Sequence, residues 1–560
     1  MDNKEINNTP ILKPALIDGI FQTVMGFKFS AQERDSEQYL PYKMGEFILN
    51  QDTADNEYYI LARNLQLFDN NLLQFDISVY SITGKLVGMV SDYQVKSIGN
   101  IEMQDTNSVC YLKENWVKKE AREIISNNED IAIVFSSDDC VLNKLSDSMD
   151  DNSIYVTYGE NYKKISGSRY IINKYSYNDY FNVLEDIGKI QKIIVLDEGE
   201  SSRNYEETYK NIIFPLHFLT RAIMSLKYKV SLIYFAAIKT QETKPFYEAL
   251  GGYLKTVNLE DPDCRFRIVY LDSVNVQMSL IKKEINSDVN DIEVKYNGDK
   301  RYVKEIKEIE EIDKSDSNEK TIKYKGTYLI TGGGGIGITL AKYLYDQYNA
   351  SVIICGRIDF NHPSKKQVKK LINSRDNIEY FQTDMSDLVQ VKILIQKIKH
   401  KYNKLDGIFH TAGLLRDAFV RYKTVEDMEL VIAPKIKGLF YLYEATKDID
   451  LDFLVSFSSL GAVTGNLGQC DYCYANSFMD SFCMLQNSNV NRCKYISINW
   501  PLWADGGMKV DNNTKRQLRD KFGMIPLENQ NGFIALESIL KYGIQKVIVI
   551  EGDRNQICSK

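Results

Sequence analysis

The stretch from Gly326 to Tyr348 constrains this chain more than any other. Thr327-Tyr-Leu-Ile-Thr331 reads as a buried strand, breaks into Gly332-Gly-Gly-Gly-Ile-Gly337, and resumes from Ile338 with helical periodicity. Gly332, Gly334 and Gly337 satisfy G-x-G-x-x-G in a strand–loop–helix setting. Such glycines permit a tight turn and close approach to a pyrophosphate, which the first amides of the helix would hold. A purely structural turn is the alternative. The pattern around it repeats. Candidate strands at 351–355, 377–382, 407–410, 494–499 and 546–550, with the run ending at Ser459, alternate with helical stretches. Seven strands with intervening helices make a doubly wound parallel sheet over residues 321–560.

The strand ending Val455-Ser-Phe-Ser-Ser459 leads through a glycine-rich turn to Tyr472, thirteen positions on, with Asn476 four residues later on the same helix face. A hydroxyl, a phenol and an amide at a strand's carboxyl end suit proton delivery to a carbonyl. A buried turn with a core tyrosine is the other reading. Arg357 falls twenty positions after Gly337, where an arginine favours a ribose 2′-phosphate and an acid a 2′-hydroxyl. That points to NADPH, with a surface arginine as the alternative. Asp384 ends the third strand, where it could hold the adenine amine. His410 ends the fourth and reads as a structural turn histidine. Trp500 to Met508 is an apolar, glycine-hinged segment, and the charged helix after it could act as a lid. Cys470 and Cys473 straddle Tyr472, but no second pair stands at ligand spacing, so no metal site is read there.

Residues 106–308 also alternate strands and helices. Strands are expected at 131–135, 153–157, 190–196, 230–235 and 267–271, with a closing hairpin around Asn297-Gly298. The turn after Phe135 has no glycine, so this unit is expected to be Rossmann-shaped without a cofactor. The charged segment at 309–320 reads as a solvated linker. In residues 1–105 a helical pattern from Ile11 precedes strands at 46–49, 57–65, 73–82 and 85–90, an α+β unit.

A net charge of −7 argues against a dedicated nucleic-acid binder. Nine cysteines without framework spacing, and no run of eighteen apolar residues, imply a cytoplasmic protein without membrane segments.

Residues 328–508 resemble a short-chain dehydrogenase/reductase, and specifically the ketoreductase of modular polyketide synthases. The resemblance rests on Tyr328-Leu-Ile-Thr-Gly-Gly, Gly356-Arg357, His410-x-Ala-Gly413, Ala433-Pro-Lys-x-x-Gly438, Phe457-Ser-Ser459, Gln469-x-x-Tyr-x-x-x-Asn476 and Trp500-x-x-Trp-x-x-x-Gly-Met508. It implies Tyr472 as proton donor, Ser459 as its hydrogen-bonding companion, Lys435 as the displaced lysine and Asn476 in the proton relay. It implies an NADPH site from Gly332, Gly334, Gly335, Ile336, Gly337, Arg357, Asp384, Met385, Ala412 and Gly413. Substrate and stereochemical control would fall to Asp417, Gly507 and Met508. Asp417 matches the third residue of the family's Leu-Asp-Asp, and Thr464 stands where the opposite class has tryptophan, implying a B-type, D-configured hydroxyl. The substrate would be a β-ketoacyl thioester on an acyl carrier protein, supplied from elsewhere. Residues 106–308 resemble the family's structural subdomain. One departure stands out. The loop from Thr331 to Gly337 has seven residues where the family usually has eight.

Residues 1–105 resemble the second half of a polyketide synthase dehydratase, a double hot-dog fold whose helix carries a catalytic Asp, matched by Asp18 with Gln22. That chemistry also needs a histidine, and the four histidines here are at 217, 362, 400 and 410. The expectation is a scaffold or dimerisation remnant, and the alternative a half completed by a His-bearing chain in trans. For the whole chain the alternative to a reductase is a non-catalytic assembly component. The fold class expected is therefore α/β, with two Rossmann-like doubly wound sheets, one truncated and without cofactor, preceded by an α+β half hot-dog unit.

Overall fold

The computed structural model describes residues 39–49, 58–68, 72–97, 107–122, 131–146, 153–199, 204–274, 277–287, 290–309, 321–488, 492–507 and 511–558. They fall into two units, 1–106 and 107–560.

In the first unit, strands Tyr39–Lys43 and Glu46–Leu49 both pair with Leu86–Ser97, which pairs with Leu72–Ser81, which pairs with Tyr58–Phe68, all antiparallel. Period-two alternation buries Phe75, Ile77 and Val79 on one face, with Tyr93 edge-on to Phe75. The turn joining the central strands needs Gly84, at φ +84°. The helix expected around Asp18 and Gln22 lies outside the described residues.

In the second unit the strand Thr327–Thr331 lies between Ser351–Gly356 and Gly407–His410. Outward from the first comes Ile378–Gln382. Outward from the second come Phe453–Ser459, Lys494–Trp500 and Lys546–Asp553, all parallel. In chain order this is 3-2-1-4-5-6-7, the doubly wound arrangement whose switch point lies at the carboxyl ends of the first and fourth strands. Residues such as Leu329, Ile330, Ile353, Ile354, Leu454 and Val455 are buried on both faces, which explains their unbroken apolar runs.

The preceding half repeats that order. Arg169–Ile172, Ile154–Tyr158, Ala132–Ser136, Lys192–Asp197, Ser231–Ala237, Arg265–Leu271 and Glu293–Asn297 are parallel neighbours. Lys300–Glu308 closes the expected hairpin. Between its second and third strands this half has only the short strand Lys163–Lys164, where the catalytic half has a helix. After its first strand, Asp138 accepts hydrogen bonds from the Cys140 amide at 2.7 Å, and its own amide donates to Ser136 Oγ. A carboxylate and a hydroxyl thus take two of the amides that a phosphate would need.

The strand Asn107–Lys118 was not expected. It pairs antiparallel with Lys300–Glu308 on one side and Lys546–Asp553 on the other, joining the two sheets edge to edge. Around it a buried cluster alternates charge. Lys546 meets Glu114 at 2.6 Å and Asp480 at 3.5 Å, and Lys255 and Lys304 each meet Glu293 at 2.7 Å. Among the described residues no helix is long and apolar enough to cross a membrane.

Candidate active site

The glycine loop forms the floor. Gly332 has φ +98°, and a Cβ there would lie 3.0 Å from the Ala412 backbone. A Cβ on Gly337 would lie 2.0 Å from the Gly332 carbonyl oxygen. The turn closes on itself only because both are glycine. Gly335 opens the helix Gly335–Tyr348, and Gly334 is its cap, with no side chain bonded to the first amides. Those amides, Gly335, Ile336 and Gly337 among them, are left for an anion. Gly507, at φ +87°, packs against Gly335 from the segment after the sixth strand. Met508 lies outside the described residues. Thr331 Oγ1 hydrogen-bonds the Nδ1 of fully buried His410 at 2.8 Å, clamping the two central strand ends together. Burial, with Lys435 nearby, brings His410 down to about 3, so it stays neutral and structural.

Of the other expected cofactor residues, Arg357 is exposed one step beyond the second strand, with no ion pair among the described residues. Asp384 commits one oxygen to the Ser386 amide at 2.9 Å and hydroxyl at 2.6 Å, leaving the other. Met385 is buried against Cys355 and serves as floor. Ala412 donates its amide to Thr331 Oγ1. A Cβ on Gly413 would meet Lys435 Cε at 3.0 Å, so that glycine leaves the space the lysine fills.

Lys435 projects from the helix Val425–Thr446, its Nζ 5.2 Å from the Tyr472 ring centroid and 3.5 Å from the Phe457 carbonyl oxygen. Burial brings it down to about 7, opposed by the charge of Asp480. Tyr472 lies in the first turn of the helix Cys470–Ser488. Burial pushes its phenol up, while the nearby polar side chains of Ser459 and Asn476 act the other way. Asn476 donates Nδ2 to the Tyr472 carbonyl at 2.7 Å, and its buried Oδ1 accepts no hydrogen bond among the described residues. A protonated phenol, a near-neutral lysine and a vacant acceptor are the parts of a proton relay.

Asp417 and Gln469 were expected at the site; the contacts that hold them, and Lys423 and Glu260 behind them, were not. Asp417 accepts from Gln469 Nε2 at 3.1 Å on both carboxylate oxygens. Lys423, fully buried, donates to Asp471 at 2.9 Å and to the Arg416 carbonyl, tying the Asp417 loop to the residue before Tyr472. Glu260, from the cofactor-less half, accepts the amides of Val420 at 2.6 Å and Gly468 at 3.0 Å. His217 accompanies it, joining the Lys423 carbonyl to the Tyr253 hydroxyl.

The uncapped helix end, the glycine cradle and the unpaired Asn476 oxygen fit a nicotinamide dinucleotide. Residues 326–505 match the KR domain family, and residues 130–288 match the family described as beta-ketoacyl synthase-like, N-terminal. The chain is 36% identical over 342 residues to polyketide synthase PksN of Bacillus subtilis (strain 168), covering 60% of this chain and 6% of that protein. It is 33% identical over 390 residues to PksL of the same organism, covering 65% and 9%. It thus spans less than a tenth of the curated relatives it matches first. Among solved structures, an N-terminal ketoreductase from the macrolactin assembly line superposes with TM-score 0.71 at 28% identity, over 82% of this chain and 94% of that one. The dehydratase resemblance of residues 1–105 is not supported: the family models match residues 130–288 and 326–505. Its chemistry would also need a histidine base, and the first 200 residues contain no histidine.

Proposed function

We propose that the chain is the NADPH-dependent ketoreductase of a polyketide synthase, reducing a β-ketoacyl thioester on an acyl carrier protein to the β-hydroxyacyl thioester; the match of residues 326–505 to the KR domain family supports this reading. The observation that carries this reading is Lys435, buried, held near pKa 7 and lying against the Tyr472 ring. The bound cofactor supplies the hydride that adds to the carbonyl carbon. Gly332, Gly335, Ile336 and Gly337 would hold its pyrophosphate, Arg357 a 2′-phosphate, and Asp384 the adenine. Ala412 and Gly413 line the path between these residues and Lys435.

The chain's own residues then handle the proton. Tyr472 donates its phenolic proton to the oxygen that becomes an alkoxide, so carbonyl, hydride and proton sum to a hydroxyl. Ser459 hydrogen-bonds that oxygen and stabilises its developing charge. Lys435 stabilises the phenolate left behind, and Asn476 offers Oδ1 to the chain of donors that reprotonates it. Asp417, held by Gln469, and Gly507 border the substrate side, favouring B-type entry and a D-configured product; Met508 belongs with them by sequence. The carrier protein comes from other synthase polypeptides.

The test is loss of NADPH absorbance with a β-ketoacyl N-acetylcysteamine thioester, and chiral analysis of the product. Tyr472→Phe should lower turnover by about 10²–10⁴-fold while still binding NADPH. Undiminished turnover by that variant would sink the mechanism. Failure of the wild type to bind NADPH would favour a non-catalytic assembly role instead.

A further inference from the structure

The side chain of Lys365 takes no part in the proton transfer. It ends the short turn Pro363–Lys365, ahead of the helix Lys366–Asn373, and is only 6% exposed. Among the described residues it makes neither an ion pair nor a side-chain hydrogen bond. Its ammonium lies 3.2 Å from where a Cβ on Gly333 would sit and 3.6 Å from the same point on Gly356. It therefore stands between the glycine loop and the carboxyl end of the second strand. The Tyr380 ring backs it, 5.1 Å from centroid to Nζ, and is itself fixed by hydroxyl bonds to the carbonyls of Gly356 at 3.0 Å and Ile358 at 2.6 Å. Its nearest acidic neighbour in the chain, Asp359, spends an oxygen on the Asn361 amide at 2.7 Å.

An ammonium on a largely buried side chain and without an anion is unfavourable, and partial desolvation accordingly holds Lys365 below the usual lysine range. Such a group is stable in company with an anion that arrives from outside. The anion's position follows from the fold. A pyrophosphate would be held by the amides of Gly335 to Gly337, at the far end of the loop. The ribose would be held at the carboxyl end of the second strand, by Gly356 and Arg357. Resting on the proposed cofactor reading, we infer that Lys365 is the inner half of a two-cation clamp, with Arg357 the outer half, for a phosphate on the ribose 2′-oxygen. The lysine also bears on the seven-residue loop. The ammonium places a positive charge beside this loop, at Gly333.

Calorimetry on the full chain with 2′,5′-ADP and 5′-ADP separates this phosphate from the rest of the cofactor. The wild type should prefer 2′,5′-ADP by at least tenfold. Lys365→Met should cut that preference at least fivefold while leaving 5′-ADP affinity within twofold, and Lys365→Arg should restore most of it. No wild-type preference, or equal loss for both nucleotides in a variant that melts normally, overturns the assignment. Acetylation of wild-type Lys365, mapped by mass spectrometry, gives a reading that does not depend on the variants. It should slow in the presence of 2′,5′-ADP and not of 5′-ADP, and equal rates overturn the assignment. A chain that passes these tests but leaves a β-ketoacyl thioester unreduced sinks the reductase reading and not the clamp.

Discussion

Lys435 shows how one residue couples chemistry to stability. Its pKa falls from the lysine range to about 7 because the site dehydrates it. In the unfolded chain it titrates near 10.4, so between these values the unfolded state binds more protons. The penalty for burying the charge is thus complete below pH 7 and fades as pH rises toward the unfolded value. Lys435→Met should therefore raise the stability of the cofactor-free protein at pH 6 by roughly 2–4 kcal/mol, seen in urea unfolding, while removing turnover. A destabilised variant would show that the lysine is held by unseen counter-charge. The activity profile has the opposite dependence. The ammonium that stabilises the Tyr472 phenolate is lost as pH rises through about 7, so kcat/KM for NADPH, which reports the free enzyme, should fall there. In Lys435→Arg the fall should be absent.

At the scale of elements, the catalytic half does not hold its substrate loop alone. Glu260 ends the helix Leu250–Glu260 of the cofactor-less half, and its two amide bonds fix the loop before Lys423 and the turn before Tyr472. Glu260→Ala should cost about 3 kcal/mol in stability and erode the stereochemical purity of the hydroxyl product, with turnover nearly kept. Unchanged product purity would make Glu260 merely structural. None of this was visible in the sequence, because Glu260, Lys423 and Asp471 are far apart along the chain and each reads alone as a solvated charge. Lys365 was hidden likewise, inside Ser364-Lys-Lys366. The strands and the helix that carries Tyr472 were legible because local periodicity marks them. The strand Asn107–Lys118 was not. Its apolar alternation is broken at Lys113-Glu114, and the two strands that complete it lie some two hundred and four hundred residues downstream in order-of-magnitude terms.

For the second unit as a whole, Glu114 on that strand is the centre of balance. Burial pushes its carboxyl up, but Lys304, Lys546 and Lys255 outweigh this and hold it well below the usual range. Its contribution is therefore present above about pH 4.3, the unfolded value, and is lost as pH falls toward the folded one. Glu114→Gln leaves the ammoniums under-compensated and should destabilise the unit by about 3–5 kcal/mol, with a shallower acid limb in pH-dependent urea melts. A loss within error would show that water screens the cluster. The same strand bears on the history of the molecule as it is made. Because Asn107–Lys118 is hydrogen-bonded to Lys546–Asp553, the join between the two sheets stays open until nearly the whole unit has been synthesised. A ribosome at work on the catalytic half holds a nascent chain with exposed strand edges. Aggregation in that interval, and the chaperones that prevent it, bear on yield as much as final stability does.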